Sequence, residues 1–304
     1  MELQAAEDKL KKLLFIVNPV SGKKAVLREM GTILGEFNRG GYLPEVYYTA
    51  KRGDATDFTR RFAGEFPLVC CAGGDGTLNE VISGLLSGGH AVPVGYIPCG
   101  STNDFASARG LSPNLAEQAR AIAAGERVRA YDVGMFNDSF FSYVAAFGAF
   151  CRVSYATDQN LKNIFGHTAY LMSGIRDLSN MKPVHAVVST GDGRVFEDDY
   201  IFGAVSNSTS VGGTVSLPED LVNPSDGLFE VLLIRMPKTI IDLNEIVIAL
   251  LSRRYDSDFI TFTQASEITV HMDTPYAWAL DGEASPDSSD VHIRVLPGKL
   301  ILRG

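Results

Sequence analysis

Gly73-Gly74-Asp75-Gly76-Thr77 stands between an apolar strand-like run and a helical pattern that begins near Leu78. Glycines let backbone N–H groups close on an anion, and a helix N-terminus adds its positive end. Asp75 would repel a bare phosphate, so the loop makes sense with a divalent cation, or a hydrogen-bond network, between the two. Asn79 and Glu80 extend the segment to GGDGTLNEV, unusually polar for a turn beside buried elements. A plain glycine-rich βα turn is the alternative.

Two further polar loops leave the same sheet edge. Asn18-Pro19-Val20-Ser21-Gly22-Lys23-Lys24 follows the first strand, and Gly100-Ser101-Thr102-Asn103-Asp104 follows the fourth. The first is only superficially a Walker A loop: the upstream Gly is missing, and Lys24 stands where Ser or Thr would meet Mg²⁺. Alone, each reads as well as a capped helix start or an Asx turn. Together they gather at the carboxyl ends of parallel strands, where ligands of open α/β sheets bind.

The second half holds three more acidic features. Leu280-Asp281-Gly282-Glu283 puts two carboxylates about a glycine turn. It is a hairpin by default and, functionally, a general base with a neighbour that positions it or a cation. Asn223-Pro224-Ser225-Asp226-Gly227-Leu228 is a turn whose oxygens suit a hard cation. Asp132 lies among apolar neighbours in Ala130–Gly134 and needs a partner, a metal or a role. No G-x-G-x-x-G follows a strand and H-E-x-x-H is absent, and the five histidines show no metal spacing.

The elements that must hold these residues fall into two textures. Up to about Arg127, strands (Leu13–Val17, Val46–Thr49, Pro67–Ala72, Val92–Ile97) alternate with helical patterns (Lys23–Arg39, Asp54–Ala63, Leu78–Leu86, Asn114–Ala124), which predicts a parallel sheet covered on both faces. Beyond it, short strand-like runs separated by Gly, Asn or Asp predict an antiparallel β-domain, interrupted by helices over about Gln159–Asn180 and Lys238–Leu251. The tail, Val291–Leu296 and Leu300–Leu302 across Pro297-Gly298, reads as a hairpin.

At 304 residues the chain suits two domains. With 27 Lys+Arg against 36 Asp+Glu, its net charge of −9 argues against a nucleic-acid partner and against simple electrostatic adhesion to an anionic membrane. Cys70, Cys71, Cys99 and Cys151 form no C-x-x-C pair, the usage of a reducing compartment. The charged N-terminus has no apolar h-region, and no apolar run is long enough to span a bilayer. A cytoplasmic protein is expected.

NPVSGKK, GGDGTLNEV, PCGSTNDFA, YDVG, NPSDGLFEV and LDGE, in this order, resemble the soluble bacterial diacylglycerol kinase and related lipid kinase family within the NAD kinase–diacylglycerol kinase superfamily. GGDGT alone is shared with NAD kinases and phosphofructokinases. Its combination with NE, NDFA and a late DGE is far more specific. The resemblance implies a Rossmann-like, NAD kinase-like α/β domain with a parallel sheet (residues 1–128), a β-sandwich-like substrate and metal domain (129–288), and a tail (289–304) returning to the first domain, with the active site between the domains. It implies ATP-dependent phosphorylation of a lipid hydroxyl, most naturally diacylglycerol to phosphatidic acid, with ATP and Mg²⁺ as cofactors and a lipid substrate at the membrane surface.

By the same resemblance, Asn18, Ser21, Gly22, Lys23, Thr49, Gly73, Gly74, Asp75, Gly76, Thr77, Leu78, Asn79, Glu80, Ser101, Thr102 and Asn103 surround the nucleotide. Asp75 and Asp104 organise the catalytic Mg²⁺. Glu283 matches the proton acceptor, with Asp132 and Asp281 in the acidic network around the transferred phosphate. Asp226, with backbone oxygens of Asn223 and Leu228, matches a second, structural metal site. The family more often has Thr where Ser101 stands, followed by a small residue, so which of Ser101 and Thr102 meets the nucleotide stays open. So do the lipid itself, a homodimer, and a peripheral position at the inner membrane face. Phosphorylation of a soluble nucleotide, as by an NAD kinase, and a non-catalytic nucleotide-binding regulator are the competing readings. Phe140, Phe141, Phe147, Phe150, Tyr155, Phe165 and Tyr170 line either an apolar cleft or plain core, and Arg60-Arg61 and Arg253-Arg254 are the locally basic docking candidates.

Overall fold

The computed structural model describes residues 10–125, 127–148, 182–211 and 215–304. They divide into two compact units: the chain up to Val133 with Leu296–Gly304, and Gly134–Val295.

In the first unit, β1 (Lys11–Val17), β2 (Tyr42–Tyr48), β3 (Val69–Gly73) and β4 (Val94–Pro98) are parallel. Between them run α1 (Ala25–Arg39), α2 (Asp54–Phe62) and α3 (Asp75–Ser87), and after β4 come the single-turn α4 (Asp104–Ala108) and α5 (Leu115–Ala124). Burial on both faces explains the continuous apolar runs: Leu13 to Val17 and Val69 to Ala72 have no exposed surface. Helix α1 turns Val26, Ile33 and Phe37 into the same core, and Phe37 meets Phe15 edge-on with ring centroids 5.3 Å apart.

β5 (Val128–Phe136) leads into the second unit. There follow β6 (Ser139–Phe141), β7 (Val144–Gly148), β8 (Val184–Thr190), β9 (Val195–Ser206), β10 (Ser210–Val211), β11 (Val215–Ser216) and β12 (Phe229–Arg235). After α6 (Ile240–Leu251) come β13 (Ile260–Ala265), β14 (Glu267–Tyr276), β15 (Ala279–Leu280), β16 (Glu283–Ala284) and β17 (Ser288–Arg303). The unit is β-sandwich-like and antiparallel. Its strands run β16-β15-β7-β9-β8-β14-β17, with β12 and β13 branching from β9. Alternating burial in β8 (Val184, Ala186, Val188) and β14 (Ile268, Val270, Met272) sends one face inward. Phe141, Phe147, Phe229 and Trp278 fill that core, Trp278 lying 4.7 Å from Phe147 between ring centroids. Phe141 and Phe147 are therefore core residues rather than cleft lining. Phe150, Tyr155, Phe165 and Tyr170, Cys151 and the helix expected over Gln159–Asn180 lie outside the described residues.

Two expectations are corrected, and one short helix was not foreseen. The tail is not a hairpin: β17 is continuous through Pro297-Gly298. Gly298 takes φ +62°, and its N–H donates to Asp132 Oδ1 at 2.7 Å, so the strand kinks there without reversing. Leu302 and Arg303 then pair in parallel with Val94 and Gly95 of β4. Helix α3 starts at Asp75 rather than near Leu78, with Gly74 as its extended N-cap residue. A single-turn helix, α4, also begins at Asp104, directly after the turn that follows β4.

Candidate active site

The parallel sheet has the order β2-β1-β3-β4-β17. The chain steps outward from β1 to β2, then returns to β3 on the other side of β1. This places the topological switch point between β1 and β3, the crevice where such sheets bind ligands. The loops leaving these two strands are Asn18–Lys24 and the Gly74 turn into α3.

Close approach of backbones fixes that edge. Gly22 has φ +52°, and a Cβ built on it would lie 1.8 Å from the Cys99 carbonyl oxygen, so the segments after β1 and β4 touch through main chain. A Cβ on Gly100 would lie 2.6 Å from Gly74 Cα, which brings the loops after β3 and β4 together in the same way. Asn18 links the loops after β1 and β3: its N–H donates to Ala72 O at 2.9 Å and its Nδ2 to Thr77 Oγ1 at 3.2 Å. Thr49 closes the edge at the end of β2, its N–H donating to Val17 O at 2.9 Å.

Within this edge the side chains divide by job. Asp75 Oδ2 accepts from Asp104 N–H at 3.1 Å and Oδ1 from Phe105 N–H at 3.4 Å, so one proposed cation ligand caps the helix that starts with the other. Asp104 is half-buried, and burial raises its carboxyl pKa. Asn103, at φ +54°, accepts from Gly100 N–H at 2.8 Å and donates to Gly100 O at 3.0 Å. It therefore shapes the turn that presents Ser101 and Thr102, both exposed. Ser21, Gly22, Gly74 and Gly76 are partly exposed along the edge.

Leu78 and Glu80 depart from the expected nucleotide shell. Leu78 is fully buried in the core, and its N–H bonds Gly74 O at 3.2 Å. Glu80 caps the start of α2, with Oε1 accepting from Gly53 N–H at 2.9 Å and Oε2 from Ala55 N–H at 3.1 Å. Asn79 lies one residue before it, where its Oδ1 accepts from Ser83 Oγ at 3.4 Å.

Asp132 is 2% exposed and holds the kink of β17 through Gly298. In the second unit, Asp281-Gly282 forms the two-residue turn between β15 and β16, with φ +49° and +85°. This is the left-handed pair that a primed hairpin turn demands. Asp281 is 4% exposed, and its carboxylate accepts from Ser142 N–H (2.6 Å), Ser142 Oγ–H (2.8 Å), Tyr143 N–H (3.0 Å) and Val144 N–H (3.1 Å). Those four donors match the lone-pair sites of a carboxylate, so Asp281 is an anchor for the turn. Glu283, two residues on, is exposed beside the anchored turn.

At Asn223–Leu228, Asn223 Oδ1 accepts from Ser225 N–H at 3.2 Å and Asp226 Oδ1 from Leu228 N–H at 3.0 Å. The turn thus closes on itself. Among the described residues no cluster of three or more His, Cys, Asp or Glu side chains is placed to hold a metal. Sequence reasoning missed Glu230, 1% exposed in β12, whose Oε1 accepts from Gln264 Nε2 at 3.2 Å. Its signal was a lone carboxylate inside the apolar run Phe229–Ile234.

The chain matches the family model of the diacylglycerol kinase catalytic domain over residues 12–136, and that of the YegS C-terminal NAD kinase beta sandwich-like domain over residues 143–303. It is 30% identical to a diacylglycerol kinase of Bacillus subtilis over 276 residues, 90% of each chain. The chain belongs to the diacylglycerol kinase family. A diacylglycerol kinase of Staphylococcus carnosus is 32% identical over 226 residues, covering 74% of this chain and 73% of that one. The crystal structure of a diacylglycerol kinase from Bacillus anthracis superposes with a TM-score of 0.77 at 26% identity, covering 97% of both chains. By this membership it is an ATP-dependent lipid kinase with an alcohol group as acceptor. No helix among the described residues is long and apolar enough to cross a membrane.

Proposed function

We propose that this kinase phosphorylates diacylglycerol to phosphatidic acid, meeting its substrate at a membrane surface, with Mg²⁺ as the metal of its nucleotide. The observation that carries the reading is the junction of the three loops at the β1/β3 switch point, where the backbones at Gly22, Gly74 and Gly100 approach too closely for a side chain.

Phosphoryl transfer asks a protein to position phosphates, balance charge and orient the attacking hydroxyl. The first turn of α3 and the Ser21–Lys24 turn supply N–H donors for the phosphates. Asp75 and Asp104 are hard oxygen donors adjoining one helix start, where Asp75 Oδ2 accepts the Asp104 N–H, and burial disfavours the charge on Asp104. They would hold Mg²⁺, which neutralises phosphate charge when bound. Glu283 accepts the proton of the acceptor hydroxyl. Asp281 and Asp132 act indirectly, by fixing the DGE turn and β17. At the Asn223–Leu228 turn the side-chain oxygens of Asn223 and Asp226 already accept from Ser225 and Leu228 N–H.

The test is incubation of the whole chain with labelled ATP, Mg²⁺ and a lipid panel, followed by identification of the phosphorylated species. Labelled phosphatidic acid is expected, and turnover should fall by about 10²-fold or more in Glu283→Gln while ATP still binds. Formation of NADP from NAD, with no lipid product, would overturn the reading. Full activity in Glu283→Gln would remove that residue from its role.

A further inference from the structure

Helix α6 is apolar on two sides. Leu243, Ile246 and Ala249, three residues apart, are buried against the protein. At 3.6 residues per turn, Ile241, Asn244, Ile248 and Leu251 fall on the opposite side. Ile241 is 78% exposed and Ile248 65%, and Ile240 and Leu251 are exposed with them. Elsewhere among the described residues, exposed large apolar side chains stand singly along the chain. A helix apolar all round normally lies in a core or in a membrane. Here the inner face has its core, and the outer face meets water.

The two ends of the helix add charge of one sign. Lys238 precedes it and Arg253 follows it, both are exposed, and neither has an ion-pair partner among the described residues. The helix's own carboxylates are turned to local donors. Asp242 accepts from Lys238 N–H at 2.9 Å and Thr239 N–H at 2.8 Å, and Glu245 from Ser257 Oγ–H at 2.8 Å. Asp256 pairs with Arg254. The outer face is thus an apolar stripe about 18 Å long with a cation at each end.

We propose that this face of α6 inserts into the surface of a lipid bilayer and holds the protein there, which rests on the reading that the substrate is met at a membrane. Magnitudes select this occupant. A stripe about 18 Å long and about 10 Å across offers about 180 Å², whereas a stable contact with a second copy takes about 800 Å² from each partner. Insertion needs no such area, because one isoleucine side chain leaving water favours the apolar phase by about tenfold or more. The net charge of −9 repels anionic headgroups, so attachment has to be apolar, with Lys238 and Arg253 reaching headgroup phosphates from the rim.

The stripe is remote from the chemistry. At the start of β12, Glu230 pairs with Ser206 and Ser206 with Val144, whose N–H donates to Asp281. The chain enters α6 from the other end of β12, past Arg235, about 17 Å along the strand. The outer isoleucines are therefore assigned to anchoring and lie outside the catalytic machinery.

The variant is Ile241→Gln/Ile248→Gln, which keeps helix propensity and removes only exposed apolar surface. It is compared with wild type by co-sedimentation with vesicles of phosphatidylcholine and phosphatidylglycerol, by unfolding midpoint, by mass in solution, and by phosphorylation of a short-chain diacylglycerol dissolved as monomer. Vesicle binding should fall by about tenfold or more in the variant, at an unchanged midpoint and unchanged turnover of the dissolved substrate. Wild type that does not bind vesicles, equal binding by the two proteins, or a loss of binding that comes with a lowered midpoint overturns the proposal. So does a wild-type dimer that the variant converts to monomer, since the stripe would then belong to a second copy. If neither protein phosphorylates the dissolved diacylglycerol, the substrate reading itself fails and the anchor falls with it.

Discussion

Replacing Asp281 by Asn separates an anchoring carboxylate from a chemical one. The substitution keeps size and tolerance of φ +49°, because Asn enters the left-handed region as readily as Asp. What changes is the acceptor set. The carboxylate takes four donors, two on each oxygen. An amide keeps two and turns an NH₂ toward the other two. Losing two hydrogen bonds to a charged acceptor costs about 1.5–3 kcal/mol each, or about 3–6 kcal/mol in all. At about 2–4 °C per kcal/mol for a domain of this size, the melting point of the second unit should fall by roughly 6–24 °C. The molecule carries its own reporter. Trp278, the single tryptophan, is 1% exposed in that unit's core and lies three residues before Asp281. Thermal unfolding followed by tryptophan fluorescence therefore reads the affected unit directly. An unchanged Trp278 midpoint together with lost turnover would refute the anchoring argument and return Asp281 to the chemistry.

Two further substitutions test the nucleotide edge. In Asp104→Asn a half-buried carboxyl with a raised pKa is removed. The native state holds that proton more tightly than the unfolded chain, so the group's stabilising contribution is complete below its unfolded pKa and is lost as pH rises through the raised value. Without Mg²⁺ the variant should melt higher than wild type at neutral pH, converge with it in acid, and lose activity; a lower neutral melting point would contradict this. Gly22→Ala should weaken ATP binding with secondary structure intact, because left-handed strain of about 1–2 kcal/mol adds to the clash with Cys99 O. Gly31→Ala, with no atom within 4 Å of its Cβ and a place inside α1, should instead stabilise by about 0.5–1 kcal/mol. Calorimetric ATP titration and melting of both variants check the pair, and equal ATP affinity in Gly22→Ala and wild type would sink the close-approach argument.

The alternation of strands and helices up to Arg127 was legible because burial on both faces writes itself into continuous apolar runs. The three polar loops were legible because glycine and Asn mark close turns. The misreadings have a common origin. Pro297-Gly298 looks like a turn, yet a remote carboxylate, Asp132, takes the Gly298 N–H and lets the strand continue. Asp132, Asp281 and Glu80 are visible as carboxylates, but only tertiary structure shows that their oxygens are directed at backbone N–H groups. The early start of α3 was hidden because Asp75 and Gly76 are poor helix formers that the N-terminal turn tolerates.

The pairing of Leu302 and Arg303 with β4 has a consequence for biosynthesis. The sheet that carries the nucleotide loops receives its outer strand only from residues 296–304, after all of Gly134–Val295 has been made. Until then one side of β4 presents an open row of N–H and C=O groups, the kind of edge that recruits strands from other chains. A fragment ending at Val133 would keep that edge permanently and should aggregate. On the ribosome, the intervening β-rich unit has its opportunity to fold before the segment that precedes it is finished.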